Sequence, residues 1–163
     1  MMMFSPSSDA VIATPFGRIG LSLIGDSLSA VDFLVAATPL KTSHHPLLHE
    51  AKRQISAYFN EPKFVFDLPY QLNGTPHQLK VWQAIAQIPA GEVLTYSEIA
   101  RRCASSPRAV GGACGRNPMP LLIPCHRVVA MHGLGGFNAN RNGLDWLPIK
   151  RWLLQHEGVI DGQ

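Results

Sequence analysis

Apolar positions recur in two different rhythms along the chain. Up to residue 34 they fall in short runs: Val11-Ile12-Ala13, then residues 18–24, then residues 28–34. Turn-formers separate the runs, first Thr14-Pro15-Phe16-Gly17 and then Gly25-Asp26-Ser27, which predicts a three-stranded antiparallel meander. After a polar connector at 38–46 the rhythm changes. Leu47, Leu48, Ala51, Ile55, Tyr58 and Phe59 recur at helical spacing, so an amphipathic helix is expected against the sheet. Phe64-Val65-Phe66 reads as one more short strand.

From residue 75 the helix signals are explicit. Thr75, Pro76 and Gln78 make an N-cap, a first-turn proline and a capping-box partner. The helix they start should run to about Ile88, burying Leu79, Trp82 and Ile85 or Ala86, and end at Pro89-Ala90-Gly91. Thr95-Tyr96-Ser97-Glu98 is a second capping box, opening a helix with Ile99 and Cys103 inward. Ser106-Pro107 caps a third helix, residues 108–114. The last two helices, joined by Ala104-Ser105-Ser106, form a helix-turn-helix candidate. Adjacent interior glycines, Gly111 and Gly112, cost about 1 kcal/mol each relative to alanine. A bare face of this kind suits either close packing against another helix or approach to a surface such as DNA, with Arg108 solvated in the first case and reaching into a groove in the second. Tyr96, at a helix start, fits the core or a hydroxyl turned toward a ligand.

The chemistry concentrates in residues 117–129. Leu121-Leu122-Ile123 and Val128-Val129 are core-like runs on either side of Pro124-Cys125-His126-Arg127. Pro124 fixes its own φ and keeps Ile123 out of helix, placing Cys125 on a rigid, non-helical turn. A thiol between apolar runs is most often a small hydrophobe. The neighbouring imidazole and guanidinium change that reading, because a base and a cation both favour thiolate over thiol. Cys125 is therefore read as an activated nucleophile, whereas Cys103 and Cys114 lack such surroundings and are read as core or helix-face residues.

Composition sets the outer bounds. The chain has 163 residues, 46% hydrophobic and 15% charged, which suits a soluble α+β protein with a real core. The meander and helix occupy residues 1–74 and a mostly helical unit residues 75–163. No apolar run approaches the ~20 residues that span a bilayer, and the opening residues do not have the pattern of a secretory signal. Three widely spaced cysteines give no disulfide framework, so a reducing cytoplasm is the expected setting. Net charge is +3 but uneven: through Thr75 there are five Lys/Arg against six Asp/Glu, and beyond it nine against five. The basic second half makes a polyanion a plausible partner. His44, His45 and His49 cluster without a cysteine or acid set, so no metal is expected there.

Together, Thr95-Tyr96-Ser97-Glu98, Arg108-Ala109-Val110-Gly111-Gly112-Ala113, Asn117-Pro118, Ile123-Pro124-Cys125-His126-Arg127-Val128-Val129 and Trp152-Leu153-Leu154-Gln155-His156-Glu157-Gly158 resemble the O6-alkylguanine-DNA alkyltransferases, also called methylated-DNA–protein-cysteine methyltransferases. The resemblance covers residues 76–158. It implies a ribonuclease-H-like first domain and a helix-turn-helix in the second. It implies double-stranded DNA with alkylated guanine as partner, no cofactor, and a monomer, with cooperative coating of DNA an open point. Position by position, Cys125 resembles the alkyl acceptor, His126 its base acting through water, and Glu157 the carboxylate behind the imidazole. Asn117 resembles the residue closing the turn between recognition helix and active site. Tyr96 resembles the residue that helps rotate the nucleotide and donates to departing guanine. Arg108 resembles the intercalating finger, and Ala109, Gly111 and Gly112 the face lying in the minor groove.

Two departures and two rivals accompany that resemblance. Zinc-carrying relatives use first-domain cysteines, and this half has none. After Gly135-Gly136-Phe137, residues 138–149 exceed the usual active-site loop by about half a dozen positions. A cysteine hydrolase would need an oxyanion motif, and none is visible. A DNA-binding regulator accounts for residues 96–115 but leaves Cys125, His126 and Glu157 without purpose.

Overall fold

A computed structural model describes residues 8–135, 140–141 and 144–161. The three apolar runs form strands β1 (Ala10–Thr14), β2 (Gly17–Ile24) and β3 (Ser27–Leu34). They pair antiparallel in the order β1-β2-β3, with Ile12 opposite Ile19 and Leu21 opposite Val31. Gly17 closes the first turn at φ 139°, a conformation that favours glycine. Helix α1 (Pro46–Asn60) follows, capped by the His45 side chain, which accepts from the Leu47 N–H. Its buried face is Leu48, Ala51, Gln54, Ile55 and Tyr58. His49 Nε2 lies 2.6 Å from the Ser43 carbonyl, so two of the three clustered histidines serve the start of this helix.

Phe64-Val65-Phe66 does not form the strand expected of it. The edge of β3 pairs instead with later chain: the Leu28 N–H donates to the Pro69 carbonyl and the Gln71 N–H to that of Leu28, both at 2.9 Å. Residue 67 hangs on α1, where the buried Gln54 amide bonds both its N–H and its carbonyl. Val65 is left 81% exposed while Phe64 and Phe66 pack inward. A strand needs a free ladder partner, and none is left at this edge.

Helix α2 (Pro76–Ile85) has the capping box at Thr75 and Gln78. It stops three residues short of the expected end. The Gln87 and Ile88 N–H groups reach only three residues back, and Pro89 disfavours helix at Ile88. Its buried face is Val81, Trp82 and Ile85; Leu79 is 38% exposed and Ala86 exposed. Strand β4 (Leu94–Thr95) runs into α3 (Tyr96–Cys103), whose capping box is Thr95 with Glu98 and whose inward residues include Ile99 and Cys103. Ala104, at φ 51°, ends α3, and Ser106 caps α4 (Pro107–Gly115). The Trp82 indole donates to the Ala113 carbonyl at 2.8 Å, tying α2 to α4.

Strand β5 (Val128–Val129) pairs parallel with β4, Leu94 opposite Val128 and Thr95 opposite Val129. The pairs β6 (Asn140–Arg141) and β7 (Leu144–Asp145) precede α5 (Leu147–His156). The loop singled out at 138–149 therefore falls partly outside the described residues. One buried cluster runs from Ile19 and Phe33 through Tyr58 to Trp82, Ile99 and Leu153. The first half meets α5 through rings: Phe16 against Trp152 at 5.4 Å and Phe33 against Trp146 at 4.7 Å. Among the described residues no helix is long and apolar enough to cross a membrane.

Candidate active site

Cys125 opens one turn of 3-10 helix, Cys125–Arg127, so the turn is helical where a non-helical one was expected. The chain enters it under strain. Leu121, a buried branched residue, sits at φ 78°, a left-handed conformation costing about 1–2 kcal/mol. Pro124, at φ −80° and ψ 68°, centres an inverse γ-turn closed by the Cys125 N–H on the Ile123 carbonyl at 2.8 Å. The Val128 N–H then bonds the Cys125 carbonyl as β5 begins. Through the β4–β5 pairing, this turn is held beside the Thr95 cap and hence beside Tyr96.

Cys125 is 2% exposed. The Asn117 amide nitrogen donates to its Sγ at 3.2 Å and to the Ile123 carbonyl at 2.8 Å. The Asn117 oxygen accepts from the Met119 N–H, also at 2.8 Å. Burial pushes the Cys125 thiol well above its ordinary range and the neighbouring Cys114 adds to this; the Asn117 hydrogen bond and the charge of Lys150 pull it back. Cys114 thus borders the thiol rather than standing apart from it, a placement with no local signal in the sequence.

The expected role of Arg127 changes. Its guanidinium grips Glu157 from two nitrogens, each at 2.9 Å, and the Ile88 carbonyl at 2.6 Å. The cation acting on the thiol is Lys150, fully buried on α5, with Nζ donating to the Val128 carbonyl at 2.8 Å and lying 5.7 Å from the Tyr96 ring centroid. Burial brings the Lys150 ammonium down to about 8, against the opposing pull of Cys114 and Cys125. Desolvation favours the neutral amine while a nearby thiolate favours the ammonium.

Next in sequence to the thiol, His126 is 1% exposed and its Nε2 lies 2.8 Å from Glu157 Oε2. An ionised carboxylate only accepts, so Nε2 carries the hydrogen. Burial lowers the His126 pKa, although Glu157 pulls the other way. Burial also works to raise that of Glu157, but the hydrogen bonds from His126 and Arg127 hold it well below the usual carboxylate range. The pair rests as carboxylate and neutral imidazole, the state in which a histidine accepts a proton. Tyr96 is half-buried; burial, then the nearby sulfurs of Cys114 and Cys125, push its phenol up, so it stays a donor. A Cβ on Gly135, itself at φ 75°, would come within 2.8 Å of the Tyr96 ring.

Arg108, Ala109 and Gly112 lie exposed on α4, with Gly111 half-buried. Beyond its own helix, a Cβ added at Gly111 or Gly112 would meet no atom of the described residues within 4 Å. Tight packing against another helix therefore does not explain the two glycines. The face is open, and Arg101, Arg102 and Arg116 are exposed with it.

A buried thiol adjacent in sequence to an imidazole–carboxylate pair, in a chain with an open helix face, is a candidate nucleophile on sulfur. Residues 76–159 match the DNA-binding domain of 6-O-methylguanine DNA methyltransferase. A methylated-DNA–protein-cysteine methyltransferase of Metallosphaera sedula is 36% identical over 148 residues, 90% of each chain. The crystal structure of Mycobacterium tuberculosis O6-methylguanine methyltransferase superposes with a TM-score of 0.71 at 31% identity, and that of Mycobacterium tuberculosis OGT in complex with DNA with 0.72 at 32%, each covering 90% of both chains. The chain belongs to the methylated-DNA–protein-cysteine methyltransferase family, a family of transferases.

Proposed function

We propose that this chain repairs DNA by moving an alkyl group from the exocyclic oxygen of guanine to Cys125 Sγ, irreversibly and once per molecule. The observation that carries the reading is the buried Cys125 thiol in contact with Asn117, with neutral His126 backed by Glu157 in the adjoining turn. In the reaction His126 takes the thiol proton, the sulfur–carbon bond forms as the carbon–oxygen bond breaks, and guanine leaves as the neutral base after protonation. Tyr96 donates to that leaving base. The product is a thioether with no carbonyl for water to attack, so the sulfur is not regenerated.

The substrate carbon lies inside the base stack, and the nucleotide must rotate out at a few kcal/mol of unstacking. Helices α3 and α4 act as the helix-turn-helix, with Ala109, Gly111 and Gly112 lying against the minor groove and Arg108 filling the vacated space. Residues 1–74, as a ribonuclease-H-like domain, support residues 75–163, which bind DNA and carry the reaction. O4-alkylthymine presents the same alkyl–oxygen bond and is included as a second substrate. The protein acts as a cytoplasmic monomer without cofactor.

Intact-mass and peptide analysis after mixing with a duplex containing O6-methylguanine tests this. One alkyl group per chain, on the Cys125 peptide and absent in Cys125→Ser, is expected. Multiple turnover or an unmodified chain overturns it.

A further inference from the structure

Glu157 is held by a residue from the other half of the chain. The Tyr58 hydroxyl, on α1 and 1% exposed, donates to Glu157 Oε2 at 2.6 Å across 99 positions of sequence. The same oxygen accepts from His126 Nε2 at 2.8 Å and from Arg127 at 2.9 Å. Tyr58 is itself fixed: His156 Nε2 lies 2.7 Å from its carbonyl, and the two rings meet edge to face at 5.0 Å. Burial, and next the Glu157 charge, push the Tyr58 phenol far up, so it remains a donor.

A ring buried for packing alone needs no hydroxyl on the carboxylate oxygen that serves the base. A carboxylate shared among three donors attracts each proton less than one shared between two. We infer that Tyr58 is a positioning residue for the transfer, its hydroxyl fixing the Glu157 carboxylate and limiting how strongly that carboxylate draws a proton onto His126. The inference rests on the proposed transfer to Cys125. The charged and titratable groups around Glu157 are His126 and Arg127 from the 3-10 turn, Tyr58 from α1, and His156 beside Tyr58. Lys150, on α5, acts on His126 by its charge.

Removing the hydroxyl leaves Glu157 a stronger partner for imidazolium, so His126 becomes more basic. In Tyr58→Phe, which keeps the ring, the His126 ring-proton NMR titration should move up by about 0.5–1 pH unit. The acid limb of single-turnover transfer from benzylated guanine base should move with it, leaving the rate on the alkaline side near the parent's. An unmoved titration in a folded Tyr58→Phe overturns the inference. In the Glu157→Gln background the same substitution should leave the titration in place, and a shift of equal size there overturns it too. Because the titration needs no transfer, a parent that fails to alkylate Cys125 defeats the proposed function without touching this result.

Discussion

The Asn117 side-chain amide donates to Cys125 Sγ at 3.2 Å while its oxygen accepts from the Met119 N–H at 2.8 Å. One buried group thus closes the turn after α4 and also touches the thiol. Asn117→Ala strands the Met119 donor and the Ile123 acceptor inside the core. A loss of about 2–4 kcal/mol is expected in urea unfolding, together with slower alkylation of Cys125. A stability change within error would show that the turn does not depend on this amide.

Lys150 offers an electrostatic test. Its ammonium favours the Cys125 thiolate, so Lys150→Met should move the pH midpoint of Cys125 alkylation upward, by about 1 unit. Stability should fall by about 1–3 kcal/mol, since the buried Val128 carbonyl loses its donor. Lys150→Arg should restore part of the shift. A midpoint that stays in place in Lys150→Met would rule out the electrostatic role.

At Gly112 folding and function should part company. Its Cβ position is open toward solvent, so Gly112→Ala should stabilise the helix by about 0.5–1 kcal/mol. The added methyl falls on the face assigned to DNA, so affinity for a duplex measured by fluorescence anisotropy should drop. Unchanged affinity would place the groove elsewhere.

Acid should weaken the fold through Glu157 and His126. Both have folded pKa values below their ordinary 4.5 and 6.5, so the unfolded chain binds more protons as pH falls through those values. Stability is therefore full above 6.5, begins to fall below it as His126 is protonated in the unfolded chain, and falls faster below 4.5. Urea midpoints across this range check the slope, which Glu157→Gln should flatten only below 4.5, where the carboxylate's own contribution is lost. A parent curve flat down to about pH 4 would contradict a buried, neutral His126.

Much of this was readable from local signals. The boxes at Thr75–Gln78 and Thr95–Glu98 and the Ser106 cap are each written within four residues, and they satisfy backbone donors that any helix start leaves open. The meander was equally plain, because its turns are local. What failed depended on distant partners. Phe64-Val65-Phe66 has strand composition, but the edge it would join is taken by residues 69–71. Leu79 and Val81 flank the Trp82–Ile85 stripe on opposite sides, at about 100° per residue, and the neighbouring helices decide which flank is covered. Arg127 was legible as a cation beside the thiol, yet its fork is spent on Glu157. Cys114, Lys150 and Tyr58 carry no signature of their own: each gains its place from residues brought near only by the fold.

Glu157, the C-cap of α5, gathers bonds from Tyr58, His126 and Arg127. Synthesis runs from amino to carboxyl end, so Cys125 and His126 are made before the carboxylate that binds the imidazole. Tyr58, His126 and Arg127 gain their common partner only once α5 has folded against both halves of the chain.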